Sequence, residues 1–347
     1  MYKLLIKRLL FLFDPETAHK IVSVLLKILF GIPFIPQIFR LFFSVNDKRL
    51  KTKVFGIEFD NPVGIAAGFD KQATLYNEMF CLGFSHIEIG TVTPKPQFGN
   101  EKPRLFRLPQ DNALINRMGF NNIGLEKIKY NLSKQKHKLI IAGNIGKNTT
   151  TKNKDAINDY ITCFEGLFDY VDYFTINVSC PNIKNLSELQ NKDSLSVIVR
   201  EIQRINNTKP KPKPILIKIS PDLTTKQLDD MIELVIETNL DGIVATNTST
   251  SRIGLKTNEK TVDKIGNGGL SGKPLTDRST EIIRYIAQKS GKSFPIIGIG
   301  GIHSPKDAID KLKAGATLVQ VYTGFIYEGP CLAKRINKAI LRNLSKK

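Results

Sequence analysis

The chain has 347 residues, of which 41% are hydrophobic and 24% charged, so it is long enough for one large domain or for a domain with an appendage. Its net charge of +19, from 51 basic and 32 acidic residues, fits either an anionic partner or a lysine-rich proteome. The four cysteines and four histidines lack the spacing of a zinc site or a disulfide framework, which predicts no bound metal and a reducing compartment.

The first 45 residues are unusually apolar, but charges interrupt every run that could serve as a membrane span. A spanning helix needs roughly 18 or more nearly uncharged residues, whereas Lys7, Asp14 and Lys20 break up this segment. No small-residue cleavage site of a secretory signal follows the apolar residues. Two short amphipathic helices are therefore predicted: one over about residues 2–13, and a second that Asp14 caps and that ends near Gly31.

The second of these helices has a wide apolar face that is edged by lysines. Such a face is typical of a helix that lies in a membrane interface, with its lysines near an anionic lipid surface. The alternative is a pair of helices that simply docks on the main domain. We expect the first interpretation, with residues 1–45 forming an N-terminal membrane-associated extension.

After residue 50, apolar and β-branched runs alternate with helical patterns, behind a small hairpin predicted at "KTKVFGIEFDNP". Continuous apolar strands that are separated by helices indicate a parallel sheet. Eight such units favour an α/β fold of the closed (β/α)8 TIM-barrel type over an open doubly wound sheet. The strands are predicted at residues 63–68, 86–91, 139–143, 173–179, 215–220, 241–247, 295–301 and 317–324.

Glycines and a lysine lie at the ends of three predicted strands, where the chemistry of such barrels gathers. The run "AAGFDK" ends the first strand and carries Lys71, which suits either a flat ligand near the backbone or a tight turn with a solvated lysine. The runs "GIGGI" and "YTG" end the seventh and eighth strands, and "GLSGKPL", residues 269–275, adds a glycine-rich turn. Together these glycines predict a phosphate site.

Lys218 lies within the apolar fifth strand, where a lysine is rare unless it is paired. Its ammonium would stabilise the negative charge of a reduced flavin; the alternative is a stem that carries the charge to the surface. Asparagines also recur at the predicted barrel mouth. One asparagine is usually turn chemistry, but several amides suit a ring with alternating N–H and C=O groups, such as a pyrimidine dione. They are Asn116, Asn144, Asn177, Asn182 and Asn247.

Cys180 follows the fourth strand in "NVSCPN", just before Pro181. A free cysteine is most often a small hydrophobic residue of the core. This one comes after the strand end, between two asparagines, which favours a general base beside a flavin. A thiol has an unperturbed pKa of about 8.5 and can remove a proton once that pKa is tuned. No histidine lies nearby in the sequence to form a Cys–His nucleophile.

A series of motifs from the first helix to the last resembles the quinone-dependent, membrane-associated class 2 of the dihydroorotate dehydrogenase family. The resemblance implies FMN-dependent oxidation of (S)-dihydroorotate to orotate in pyrimidine (UMP) biosynthesis, with a membrane quinone as electron acceptor. It implies a catalytic FMN-binding barrel over residues 46–347. The motifs are "FDPETAH", "NPVGIAAGFDK", "EIGTVTPKPQFGNEKPRLFRL", "ALINRMGFNN", "NVSCPN", "IKISPD", "VATNT", "GGLSGKPL", "IIGIGGI" and "LVQVYTGFIYEGP".

The resemblance also implies residue roles, with Cys180 as the catalytic base and Lys218 as the cation beside the flavin. Residues that match positions around FMN are Ala67, Gly68, Lys71, Thr91, Asn144, Asn177, Lys218, Thr246, Gly272, Gly301, Tyr322 and Thr323. Residues that match positions around orotate are Lys71, Asn116, Arg117, Met118, Gly119, Phe120, Asn177, Asn182, Asn247 and Thr248. His19 and Arg107 match positions near the quinone passage; the alternative is an ordinary helix histidine and a surface arginine.

One stretch departs from the pattern that class 2 enzymes usually show, Asn-x-Ser-Ser-Pro-Asn-Thr. Cys180 replaces the serine base, and Ile183 replaces the threonine. Cysteine is typical of the soluble class 1 enzymes, although the N-terminal helices and "FDPETAH" still indicate class 2. Because a thiol loses its proton more readily than a hydroxyl, we expect the departure to affect the pH profile and the rate-limiting step rather than the reaction.

Two other functions remain open at the level of the sequence. A dihydrouridine synthase would explain the positive charge by RNA binding, but its usual C-terminal RNA-binding appendage has no counterpart here, so no nucleic acid partner is expected. A non-enzymatic membrane-surface protein would explain residues 1–45 but not Lys218 or the asparagines. The class 2 resemblance, without a long transit peptide, predicts a peripheral protein on the cytoplasmic side of a bacterial inner membrane.

Overall fold

The computed structural model describes residues 2–137, 139–179 and 192–345, and its centre is a closed barrel of eight parallel strands. A hairpin and a three-stranded antiparallel sheet accompany the barrel. The strands in chain order are β1 (Thr52–Val54), β2 (Ile57–Phe59), β3 (Val63–Ile65), β4 (His86–Val92), β5 (Leu105–Leu108), β6 (Ala113–Asn116), β7 (Ile140–Ile145), β8 (Tyr173–Asn177), β9 (Ile215–Ile219), β10 (Gly242–Ala245), β11 (Gly269–Gly272), β12 (Ile296–Ile299) and β13 (Leu318–Val321).

Helices cover the outside of the barrel, and local sequence signals set where several of them begin. Thr224 and Ser304, for example, each form a reciprocal capping box with the third residue of the helix that follows. The helices in chain order are α1 (Lys7–Leu10), α2 (Pro15–Gly31), α3 (Ile35–Phe43), α4 (Tyr76–Cys81), α5 (Leu125–Leu132), α6 (Ala156–Leu167), α7 (Lys192–Asn207), α8 (Thr225–Thr238), α9 (Glu259–Ile265), α10 (Thr276–Lys289), α11 (Pro305–Ala314), α12 (Thr323–Glu328) and α13 (Leu332–Leu344).

The barrel confirms the predicted (β/α)8 fold. Strands β3, β4, β7, β8, β9, β10, β12 and β13 pair in this order, and β13 closes the ring on β3. Each corresponds to one of the eight predicted strands, although most are shorter than predicted. Side chains such as Ile87, Ile141 and Ile217 are fully buried in the main hydrophobic core, which also includes residues of the surrounding helices.

The predicted hairpin is present as β1 and β2, and it lies against the barrel interior at the amino ends of the strands. Phe59 at its end is fully buried, with its ring centroid 5.2 Å from that of His86 and 6.5 Å from that of Tyr173. These aromatic contacts cover the end of the barrel that lies away from the predicted ligand site.

A small antiparallel sheet beside the barrel mouth was not predicted. Strand β6 pairs with β5 on one side and with β11 on the other. The segment at residues 269–275, predicted as a glycine-rich turn, is therefore a strand over Gly269–Gly272 before it turns. Because β6 and β11 are far apart in the sequence, no local pattern indicated their pairing.

The N-terminal extension contains the two predicted helical segments and a third that was not predicted. The first begins with a π-helical turn, Tyr2–Ile6, and continues as α1. Asp14 caps α2 as predicted, since its carboxylate accepts a hydrogen bond of 3.0 Å from the Thr17 amide. The additional helix α3 begins after Phe34, with Pro36 in its first turn, where prolines are compatible with a helix start.

The extension is docked on the barrel, and its outer face is also apolar. Arg104, before β5, forms an ion pair of 2.9 Å with Glu16 of α2, and the Tyr2 hydroxyl donates to the Ile326 carbonyl at 2.6 Å. Of the 20 large hydrophobic residues that are exposed in the described part of the chain, 14 lie between residues 4 and 42. The extension is therefore docked on the barrel and also has an apolar outer face, and its contact with a membrane stays a prediction.

None of the described helices alone is long and apolar enough to cross a bilayer; α2 and α3 meet the length and composition requirements only as a pair, which is bent by 112° at the break.

Candidate active site

A cavity of about 140 Å³ opens at the carboxyl ends of the barrel strands, where the sequence predicted the ligand site. Most of the residues predicted to contact FMN or orotate line it, so the structure brings them together; the roles assigned to them stay predictions. The predicted residues in its wall are Ala67, Gly68, Lys71, Thr91, Asn116, Met118, Gly119, Phe120, Asn177, Lys218, Thr246, Asn247, Thr248, Gly272, Gly301, Tyr322 and Thr323.

The charged side chains in the described wall of this cavity are both cationic. Lys71 follows β3, and its ammonium donates a hydrogen bond of 2.5 Å to the Asn121 side-chain oxygen. Lys218 projects from β9 and is only 4% exposed, which excludes the alternative of a stem that carries its charge to the surface. Two cations without a carboxylate in the wall favour an anionic ligand.

Glu88 is the buried partner of Lys218, and sequence reasoning missed it. The Lys218 ammonium lies 3.4 Å from Oε1 of Glu88, and the Glu88 side chain is fully buried. The other carboxylate oxygen, Oε2, has no hydrogen-bond partner within the described residues. The available signal was a glutamate inside the otherwise apolar strand "HIEIGT", as unusual there as Lys218 is in β9.

A chain of side-chain hydrogen bonds connects Glu88 with the cavity. The Asn144 amide donates to Glu88 Oε1 at 2.6 Å, and its oxygen accepts from the Thr91 hydroxyl at 2.5 Å and from the Asn177 amide at 3.2 Å. The Asn247 amide donates to the Asn177 oxygen at 3.4 Å. Thr91, Asn177 and Asn247 line the cavity, whereas Asn144 is fully buried behind them. Asn144 therefore does not line the cavity, and its FMN contact stays a prediction.

Glycine loops close the cavity on the side of β11, β12 and β13. Gly301 has φ +68°, and a Cβ there would lie 2.3 Å from the Thr276 hydroxyl oxygen. Gly272 has φ +107°, and a Cβ there would lie 2.4 Å from the Asn112 carbonyl oxygen. Only glycine fits both positions without a shift of the surroundings, and the bare backbone that results suits a phosphate group.

A buried lysine behind these loops was also missed. The Lys311 ammonium donates to the hydroxyls of Ser279 and Thr280, and the Ser279 hydroxyl in turn donates to the Gly300 carbonyl at 3.1 Å. Burial lowers the pKa of Lys311 to about 7. In the sequence this lysine belongs to an ordinary amphipathic helix among other lysines, so its pattern gave no signal.

Besides Asn144, three residues predicted at this site are not among the described side chains of the cavity wall. Arg117 points away from it, because its guanidinium donates to the carbonyls of Pro103 and Ile265 and lies over the Phe106 ring. Its predicted contact with orotate is therefore not supported by this geometry. Cys180 and Asn182 lie outside the described residues.

A second, mainly apolar cavity of about 250 Å³ lies between the extension and the barrel. His19 and Arg107, the two residues predicted near the quinone passage, both line it. Burial lowers the pKa of His19, and the nearby Lys71 charge lowers it further. Arg107 donates a hydrogen bond of 2.6 Å to the Phe13 carbonyl and is half-buried, so it is not a simple surface arginine. Tyr322 lines this cavity as well as the one at the barrel mouth.

Comparison with known families identifies the chain's relatives. Residues 49–344 match the family model that is described as dihydroorotate dehydrogenase. The chain belongs to the dihydroorotate dehydrogenase family. This confirms the family predicted from the sequence motifs, and it decides against the dihydrouridine synthase and the non-enzymatic membrane protein.

Individual members of the dihydroorotate dehydrogenase family match almost the whole chain. The dihydroorotate dehydrogenase (quinone) of Christiangramia forsetii is 57% identical over 341 residues, which cover 98% of this chain and 99% of the relative. The protein of the same name from Natronomonas pharaonis is 44% identical over 346 residues, covering 100% of this chain and 95% of the relative. Both alignments therefore include the N-terminal extension.

Solved structures of the family agree with the observed fold. The crystal structure of the Eimeria tenella dihydroorotate dehydrogenase in complex with ferulenol has a TM-score of 0.86 and 34% identity, and the match covers 96% of this chain and 92% of that one. The ligand-free structure from the same organism has the same TM-score and covers 96% of both chains.

Proposed function

We propose that this chain is a quinone-dependent dihydroorotate dehydrogenase that binds FMN at the barrel mouth and oxidises (S)-dihydroorotate to orotate in pyrimidine biosynthesis. The observation that carries the proposal is the composition of one cavity in a member of this family. Two lysines, several amides and a glycine cradle meet there, at the carboxyl ends of the barrel strands. These groups suit an anionic pyrimidine and a phosphate-bearing flavin.

The residues present fit FMN. The glycine cradle, where added Cβ atoms would collide with the surroundings, leaves backbone groups for the phosphate. Gln320 of β13 lines the cavity, and both polar atoms of its buried amide have no partner within the described residues, as expected of a group that a polar ring would satisfy. The glycine cradle and Gln320 would hold FMN, which would supply the acceptor for the hydride from C6 of the substrate and the means to pass electrons on to a quinone.

The remaining chemistry falls to side chains of this protein. We assign Cys180 as the base that removes the C5 proton, and Lys71 as the cation that pairs with the substrate carboxylate. The amides of Asn116, Asn177 and Asn247 would hold the ring through its alternating donors and acceptors. Lys218 would stabilise the negative charge of the reduced flavin.

We further propose that residues 1–45 form a membrane-associated unit and residues 46–347 the catalytic barrel. The apolar cavity under the extension offers a passage for the quinone, and Tyr322 connects that cavity with the barrel mouth. The exposed apolar residues of the extension, among them Leu12 and Leu41, would rest on an anionic membrane surface where quinone dissolves. A peripheral position on the cytoplasmic side of a bacterial inner membrane is part of this proposal.

An anaerobic spectral titration tests the proposed function. The purified protein should show flavin absorbance, dihydroorotate should bleach it, and a soluble quinone should restore it. Dihydrouracil, which lacks the carboxylate that Lys71 would bind, is the matched control and should bleach the flavin far more slowly. A protein without flavin, or a flavin that dihydroorotate leaves oxidised, would contradict the proposal.

A further inference from the structure

Glu88 is a buried carboxylate that the proposed reaction does not use. It lies in the middle of β4 and is fully buried, and its Oε1 atom contacts both the Asn144 amide and the Lys218 ammonium. A carboxylate so far from water costs free energy unless its partners compensate, and a hydrophobic pair of similar volume is often at least as stable as a buried ion pair. The presence of Glu88 in the barrel therefore calls for an explanation beyond stability.

We propose that Glu88 is a positioning residue that determines the electrical polarity of the cavity wall where the flavin binds. It acts on two groups that line the cavity, the ammonium of Lys218 and, through Asn144, the amide of Asn177. The inference rests on the proposed function, because its readout is a property of the bound flavin.

The orientation of the amides follows from the chemistry of a carboxylate, which only accepts hydrogen bonds. Asn144 must therefore turn its NH2 group toward Glu88, at 2.6 Å, and its oxygen toward Thr91 and Asn177. The NH2 group of Asn177 then donates to Asn144 and to Thr91. The Asn177 oxygen accepts from the Asn247 amide at 3.4 Å. Glu88 thus decides which amides at the cavity wall offer donors and which offer acceptors.

The effect on Lys218 follows from charge and position. The ammonium lines the cavity, whereas the carboxylate lies behind it at 3.4 Å and is shielded from water. In such a low-dielectric site the carboxylate offsets part of the positive potential that a bound flavin experiences. Removing the carboxylate charge leaves the ammonium without this offset, which favours the reduced, negatively charged flavin.

The test is the midpoint potential of the bound flavin, measured anaerobically against reference dyes in the full-length holoenzyme at neutral to mildly alkaline pH, where the reduced flavin is negatively charged. Glu88→Gln keeps the shape of the side chain and removes its charge, so the midpoint potential should become more positive than in the wild-type protein. Lys218→Met should make it more negative. Adding Glu88→Gln to Lys218→Met should bring it back toward the wild-type value.

Thr238→Val is the matched control, because it removes a buried hydroxyl on α8, outside the barrel, without changing the charge; this hydroxyl donates to the Leu234 carbonyl at 2.6 Å. Its midpoint potential should equal that of the wild-type protein. An unchanged or more negative potential in Glu88→Gln, or an equal shift in Thr238→Val, would overturn the proposal. If Glu88→Gln does not fold, Lys218→Met compared with the double variant provides the same test. Absence of flavin from the wild-type protein would instead refute the proposed function.

Discussion

At the scale of single residues, the proposed base predicts a pH dependence. A thiol ionises near an unperturbed pKa of about 8.5, whereas a serine hydroxyl ionises far less readily. We therefore expect Cys180→Ser to shift the pH optimum of dihydroorotate oxidation upward, as measured from kcat across the neutral and alkaline range. Cys180→Ala is the control: it should keep the yellow flavin and lose roughly 10²- to 10⁴-fold in turnover. Superimposable pH profiles of the cysteine and serine proteins would argue against thiolate catalysis.

A second residue predicts how stability depends on pH. His86 is fully buried, and burial lowers its pKa from 6.5 to about 3. Between these values the unfolded chain binds the proton and the folded chain does not, so stability that is present above pH 6.5 is lost as the pH falls toward 3. For His86 the loss between about pH 7 and about pH 4 should be roughly 3 kcal/mol.

Urea unfolding at both pH values checks this expectation. The variant His86→Gln should lose less stability on acidification than the wild-type protein, although it starts less stable. His303, whose pKa burial lowers to about 4, titrates in both proteins, so its contribution cancels in the comparison. Equal losses in the two proteins would show that His86 does not cause the acid sensitivity.

At this scale, site residues could be predicted where a charged or polar residue interrupts an apolar strand. Lys218 stood out because it interrupts an apolar strand, and the structure locates it in the cavity wall. Glu88 and Gln320 interrupt β4 and β13 in the same way and could have been found by the same reasoning. The direction of the Arg117 side chain could not be predicted, because a motif fixes the position of a residue in the chain but not the direction in which a long side chain points.

At the scale of elements, the strands and helices that local sequence patterns define could be predicted, whereas those that depend on contacts between distant segments could not. Each barrel strand could be recognised from its own apolar run, and α2 from its cap at Asp14. The pairing of β6 with β11 and the start of α3 beside Pro36 depend on contacts or backbone geometry that no local pattern records. The hairpin was predictable because its two strands are adjacent in the sequence.

The loop after β12 gives a prediction at this scale. In Gly301→Ala the new Cβ would meet Thr276 at 2.3 Å, so the loop must shift and the phosphate cradle should bind FMN less tightly. Gly291→Ala is a matched control, because its φ of +60° imposes similar strain while no atom lies within 4 Å of the new Cβ. The ratio of flavin to protein after purification should fall for Gly301→Ala alone. Equal ratios in both variants would exclude the steric effect.

At the scale of the whole molecule, two cavities of different character adjoin each other. The barrel mouth carries two ammonium groups and several amides, whereas the space beneath the extension is mainly apolar. Tyr322 lines both, and burial raises its pKa to about 12, so its ring carries no charge between them. This layout would let an anionic substrate and an apolar electron acceptor approach the same flavin from separate sides.

The exposed apolar face of the extension predicts how the molecule meets a membrane. Phe34, Leu12 and Leu41 are 76%, 81% and 80% exposed, and burying such side chains in the lipid interface would contribute roughly 1.5–3 kcal/mol each. Replacing all three with glutamine in the full-length protein should therefore weaken binding to anionic liposomes by roughly tenfold or more per residue. Co-sedimentation measures this, while anaerobic bleaching by dihydroorotate should continue unchanged.

The control for this experiment is Val197→Gln. Val197 is 61% exposed on α7, which packs between α6 and α8, on the far side of the barrel from the extension. Its replacement removes an exposed apolar side chain elsewhere on the molecule, so liposome binding should stay at the wild-type level. If the triple variant sedimented with liposomes as well as the wild-type protein, or if Val197→Gln weakened binding equally, the extension would not be the membrane contact. The apolar cavity beneath it would then need another explanation than access for a membrane quinone.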